Sequence, residues 1–112
     1  MPNQTTLPHE TLYAYQAARE LLGLICGARI SNTRIRDQAV NAASSACLNI
    51  AEATGRTGAD QKRVYAIARG EICEAGAALD IASVAGSCNS EAAASGAAVA
   101  RRAYALLCGL IR

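Results

Sequence analysis

The chain has no Phe and no Trp, a single Lys and a single His, and proline only at Pro2 and Pro8. Each scarcity excludes something. One histidine, His9, leaves a Ser or Cys nucleophile without an evident base. It equally leaves no Glu-x-x-His pair to hold metal in a helical bundle. Gly55 and Gly58 are not followed by the Lys-Ser/Thr of a phosphate-binding loop. No apolar run reaches the ~20 residues of a membrane span. The five cysteines, Cys26, Cys47, Cys73, Cys88 and Cys108, form no C-x-x-C pair and are odd in number. They read as free thiols used as small apolar residues. Met1 to Glu10 is polar and lacks the apolar stretch of a secretory signal. A reducing cytoplasm is the expected location. No catalytic, cofactor or metal residue is assigned, and no enzymatic activity is expected.

What is present is alanine, 26 of 112 residues. Alanine has the best helix propensity, β-branched and aromatic residues are sparse, and no proline breaker follows residue 8. The chain therefore reads as all-α. Small side chains let helix axes approach closely, yet each buries little area at about 25 cal/mol per Å². Self-association is the natural supplement.

Periodicity divides the chain into a flexible leader over residues 1–8 and four helices over about 9–29, 33–54, 58–85 and 90–112. Pro8 suits the first turn of helix one, with Thr6 as a cap. Leu12, Tyr15, Ala18, Leu22, Ile25 and Cys26 give that helix its apolar stripe. Ser31 or Asn32 caps helix two, whose apolar positions form two adjacent lines. Gly55 is placed as its left-handed stop. Thr57 and Asp60 suit a capping box for helix three. That helix also has two apolar lines, one through Tyr65, Ala68, Ile72, Ala75, Leu79 and Ala82, the other through Val64, Ile67, Ala78, Ile81 and Ala85. A helix apolar on more than one side is expected to be buried on more than one side. Gly70 and Gly76 suggest tight packing. Asn89 or Ser90 caps helix four, with Glu91 in its first turn. Short turns between four long helices predict an antiparallel up-down-up-down four-helix bundle, assembling into a cyclic oligomer.

Two groups of polar residues stand out. Asn49, Glu52 and Arg56 fall on one helical stripe, and Arg69, Glu71 and Glu74 lie on or near the face that could meet it. Asn49, Glu52, Arg69 and Glu74 are read as a polar network fixing helix two against helix three, with a ligand contact as the alternative. If Glu52 pairs with a buried Arg, its loss costs about 2–4 kcal/mol. The second group is basic. Net charge is only +2, but Arg29, Arg34 and Arg36 gather near one turn, Arg56, Lys62 and Arg63 near the next, and Arg101 and Arg102 on helix four. A solvated surface or a patch for RNA or DNA phosphates would both look this way.

Certain residues also carry a resemblance. Tyr15-Gln16-Ala17-Ala18-Arg19-Glu20-Leu21, Gln38 with Ala42-Ala43 and Ser45, Asn49-Ile50-Ala51-Glu52 with Gly55-Arg56, and Ala68-Arg69-Gly70 with Glu74 are similar to a bacterial family. Its members are four-helix bundle proteins encoded in intervening sequences of 23S ribosomal RNA genes. The family also resembles the accessory variability proteins of diversity-generating retroelements. The likeness covers roughly residues 12 to 86. Members usually carry Gly where this chain has Ala53, and Ser where it has Glu71. The resemblance implies a cyclic homopentamer and, for the retroelement branch, association with nucleic acid and a reverse transcriptase. A bundle of this kind is expected to scatter light with a mass several times that of the 11.6 kDa chain; a monomer at micromolar concentration would remove the ring.

Overall fold

The structure, a computed structural model, describes residues 5–112. Among them are four helices and no strand: α1 Tyr13–Gly27, α2 Thr33–Ala53, α3 Gly58–Val84 and α4 Ser90–Ile111. Each helix packs on the next in the chain, and α4 packs back on α1 to close the bundle. No helix of the described residues is long and apolar enough to cross a membrane.

The first helix starts four positions later than its periodicity predicts. The Glu10 carboxylate accepts the Leu7 N–H at 2.6 Å, Glu10 N–H donates to the Leu7 carbonyl, and Leu12 N–H donates to the His9 carbonyl at 3.0 Å. These bonds turn residues 7–12 before α1 begins. Leu12 stands at the N-cap without a side-chain cap bond, so neither Thr6 nor Pro8 starts the helix. Of the expected leader, residues 1–4 lie outside the described residues, and residues 5–8 are exposed.

Alanine and a few large residues make the core. Leu21, Ile25, Ile50, Ile72, Leu79 and Leu107 are the largest fully buried side chains. They are bedded among Ala14, Ala17, Ala18, Ala39, Ala43 and Ala46, all buried. The buried stripe of α1 is rotated from the expected one. Leu12, Tyr15 and Leu22 only flank the core, and Cys26 is exposed. Small residues occupy the centre because the helices approach too closely for large ones to share it. The closest approach lies at Gly96, not at Gly70 or Gly76. A Cβ added at Gly96 would collide with Leu79 Cδ1 and reach Leu21 Cδ1 at 3.9 Å. At Gly76 it would rest 3.4 Å from the Ala100 Cβ, and at Gly70 it would meet nothing within 4 Å.

The turns also differ from expectation in where they bend. Gly55 is not left-handed. The positive φ values fall at Arg29 (52°), Gly58 (58°) and Gly86 (70°). After α3, Ser87 N–H donates to the Ala82 carbonyl at 2.8 Å and Gly86 N–H to the Ser83 carbonyl at 3.1 Å. This pair of bonds is a Schellman closure, which needs a left-handed residue at Gly86. It delivers Ser87 into the bundle end, where it is buried. There the Ser87 carbonyl accepts from Ser31 N–H at 2.9 Å, and Ser87 Oγ accepts from Asn32 N–H at 2.7 Å. One serine therefore ties the α1–α2 turn to the α3–α4 turn. Asn32 in turn caps α2 by accepting Ile35 N–H at 3.0 Å, and Asn89 caps α4 by accepting Glu91 N–H at 2.7 Å.

Packing at the two kinds of glycine separates their roles. Gly96→Ala is expected to lower stability by about 1–3 kcal/mol through overpacking. Gly23, inside α1 with open space around it, should behave oppositely, Gly23→Ala raising stability by about 0.5–1 kcal/mol through helix propensity. Thermal unfolding followed by circular dichroism distinguishes them.

Candidate nucleic-acid interface

The expected polar network does not assemble. Asn49 does reach α3, but its Nδ2 donates to Glu71 Oε1 at 2.8 Å, not to Glu74. Glu52 points away from that joint, with its side chain 57 % exposed. Its partner is Arg56, one turn along, whose Nη2 donates to Glu52 Oε1 at 2.7 Å. Arg69 turns to α4, where Nη1 donates to Cys108 Sγ at 3.5 Å and the guanidinium lies 5.9 Å from the centroid of Tyr104. Glu74 is exposed. The four residues diverge because they sit at different angles on two helices that share a buried alanine face. Only Asn49 lies at the edge of that seam.

Arg56 is the centre of a different arrangement. It bridges Glu52 and Asp60, donating from Nη1 to Asp60 Oδ2 at 2.7 Å, and Arg63 Nη2 donates to Asp60 Oδ1 at 2.9 Å. Asp60 therefore serves two arginines instead of capping α3, and Thr57 makes no side-chain cap bond. The α2–α3 joint is further closed by Gln61 Nε2, which donates to the Ala53 carbonyl at 3.0 Å. Hydrogen bonds from Arg56 first, and from Arg63, hold the Asp60 carboxyl below the usual aspartate range. The Arg56 guanidinium is pushed up, chiefly by Asp60 and then by Glu52.

The basic residues thus fall into two sets. Arg56, Arg63, Arg102 and Arg36 are engaged by carboxylates. Arg102 Nη2 donates to Glu20 Oε1 at 2.5 Å, joining α4 to α1, and Arg36 Nη2 approaches Asp37 Oδ1 at 3.5 Å. Arg29, Arg34, Lys62 and Arg101 are exposed and form no ion pair among the described residues. Arg29 and Arg34 bracket the α1–α2 turn that Ser87 fastens from beneath. Arg29 holds a left-handed backbone just past α1, unusual for a residue with a side chain. Lys62 lies on the second turn of α3, and Arg101 on the α3–α4 groove.

Three contacts escape a reading from spacing. The Ser31–Ser87 staple joins residues far apart in sequence, and only a serine after a helix-ending glycine hints at it. Glu71 departs from the related pattern, and that departure is what gives Asn49 its partner. The Glu20–Arg102 pair requires knowing that α1 faces α4.

Among the described residues no three His, Cys, Asp or Glu side chains gather to hold a metal ion. All five cysteines are free thiols, and burial pushes the Cys47 thiol up. The fold defines a small four-helix bundle, and its ion pairs lie on the exposed surface. The family model described as 23S rRNA-intervening sequence protein matches residues 10–108, and the chain belongs to that family. A comparison with curated proteins finds no match.

The charge cluster at Asp60 has a measurable signature. Its folded value is depressed, so the stabilisation it gives is present above the ordinary aspartate range and is lost as pH falls through the lowered value. An NMR titration should place the Asp60 carboxyl below an ordinary aspartate, and Arg56→Ala should move it back up. An unshifted midpoint in the wild type would mean that the bridge is not populated in solution.

Proposed function

We propose that the protein is a non-enzymatic, self-associating four-helix bundle that binds RNA through arginines its own carboxylates leave free. In this reading it works in the cytoplasm, alone or with an RNA-handling partner such as a reverse transcriptase. The observation that carries the reading is the α1–α2 end. Arg29 and Arg34 stand exposed there, unpaired among the described residues, on a turn fastened by Ser87. Guanidinium groups held on a fixed turn are suited to bidentate contact with phosphate oxygens. The family's name adds an RNA context, and the retroelement likeness read from the sequence points the same way.

Pairings across the helices support an up-down-up-down course. Asn49 meets Glu71 and the Ala53 carbonyl meets Gln61, so positions rising along α2 meet positions falling along α3. Gly96 at Leu79 and Cys108 at Arg69 repeat the relation for α3 and α4. Closure of such subunits into a homopentamer would multiply each basic turn around a ring.

A second reading, a protein-interaction or scaffold module without nucleic-acid affinity, draws on exposed apolar residues. Leu48, Ile81 and Val84 are 72 %, 54 % and 83 % exposed. A pull-down from nuclease-treated lysate that recovers one defined protein partner would favour it.

Gel-shift titration against structured RNA over a salt series tests the first reading. Binding should weaken steeply with salt. Arg29→Gln with Arg34→Gln should flatten the slope of log K against log salt by about 0.7–0.9 for each phosphate no longer neutralised. Absence of binding even at low salt removes RNA from the function.

A further inference from the structure

A groove of about 360 Å³ runs between α3 and α4 over a floor of Gly76, Ala97 and Ala100. The helices touch beneath it, where a Cβ at Gly76 would rest 3.4 Å from the Ala100 Cβ. Asp80, Arg101 and Tyr104 line the groove, and all three are exposed. Neither Asp80 nor Arg101 forms an ion pair among the described residues. A hollow above about 300 Å³ with an apolar floor and a few polar groups has the make-up of a ligand site.

Two arginines flank Tyr104, whose ring is 43 % exposed. Arg69 reaches across from α3 and lies 5.9 Å from the ring centroid. It keeps Cys108 as one partner, and a guanidinium has further N–H donors to give. Arg101 precedes Tyr104 by three positions on α4, a spacing that sets the two on one face. Tyr13 is also strongly exposed, but the arginine in its hollow, Arg102, is neutralised by Glu20. Tyr104 therefore joins an accessible ring to guanidinium that no carboxylate holds.

An aromatic ring beside guanidinium suits a nucleobase and its phosphates. In a duplex the base faces cover one another, so only an unpaired nucleotide can lay its base on a side-chain ring. Asp80 stands about three turns along α3 from Arg69. Its carboxylate repels phosphate and accepts from base N–H groups, so it gives the groove a direction. Beyond Asp80 the groove continues as a second hollow of about 220 Å³ that shares Gly76, Asp80 and Ala97. It is thus a track and not a closed pocket. An acidic peptide would satisfy the arginines, but its carboxylates offer neither a flat face to Tyr104 nor a donor to Asp80.

We propose that the α3–α4 groove binds single-stranded RNA, with an unpaired base stacked on Tyr104 and the phosphates on either side of it against Arg101 and Arg69. The inference rests on the RNA reading above and names the kind of strand and a second contact surface, apart from the α1–α2 turn.

Fluorescence anisotropy of the full chain with labelled oligocytidylate, and with a blunt RNA duplex of equal length, tests it. The single strand should bind more tightly than the duplex. Tyr104→Leu should weaken single-strand binding by about tenfold, and Tyr104→Phe should preserve it. Arg101→Gln should flatten the single-strand salt slope by about 0.7. Nuclear magnetic resonance should show the Tyr104 ring protons moving upfield as the oligonucleotide is added, and circular dichroism should show unchanged helix content in each variant. No binding of either RNA at low salt would remove the RNA reading and this site together. Duplex binding that depends on Arg29 and Arg34, without preference for the single strand, would overturn the groove and leave the RNA reading in place. Single-strand binding that survives Tyr104→Leu would overturn the stacking site. Displacement of the oligonucleotide from Tyr104 by oligoglutamate at equal concentration would make the groove a peptide site and overturn the proposal.

Discussion

The bundle depends on close approach of helices through residues with almost no side chain. At Gly96 the backbone of α4 comes so near Leu79 that even a methyl group would collide. Alanine on the facing sides of α1, α2 and α3 extends the same approach along the bundle. Dispersion contacts between near backbones replace the interlocking of large side chains. Six large aliphatic residues then fill the space that remains. Such a core gains little area per residue, and its stability leans on contacts that small residues make possible.

The ends of the bundle obey a different constraint. Helix termini leave carbonyl and amide groups without partners, and here one buried serine satisfies several of them. Ser87 reaches the interior only because the chain turns left-handed at Gly86. From there it holds the α1–α2 turn, and with it the backbone that presents Arg29 and Arg34. At the α2–α3 end the solution is electrostatic. Asp60 and Glu52 surround Arg56, which neutralises the residue that sequence position alone makes the most conspicuous contact. The two ends therefore differ in charge pairing: Arg29 and Arg34 form no ion pair among the described residues at one, while Arg56 and Arg63 are held by carboxylates at the other.

Helix α3 carries two apolar lines that the bundle buries to different extents. Its first apolar line, from Tyr65 to Ala82, is buried in the bundle, while Ile67 and Ile81 of its second line face outward. A helix in a four-helix bundle touches two neighbours, and the arc facing away from both stays in contact with solvent. Ile67, Ile81 and Val84 stand on that arc and are exposed.

Helix content, the number of helices and the family likeness were legible in the sequence, because propensity and periodicity are local. Three of the four helices fall within two residues of their expected ends. The start of α1 was not legible, since hydrogen bonds among residues 7–12 turn the chain there before the helix begins. Nor was the partner of Asn49, which depends on the rotation of α2 against α3. Rotation about a helix axis leaves the spacing pattern unchanged while deciding which of Glu52, Glu71 and Glu74 comes within reach. By itself, then, the sequence determined an alanine-rich all-α chain and where most of its helices end. Tertiary structure alone decided which arginines are paired, which glycine is a contact and which is only open space, and which apolar stripe of α3 stays outside, because each is a relation between helices that no single helix encodes.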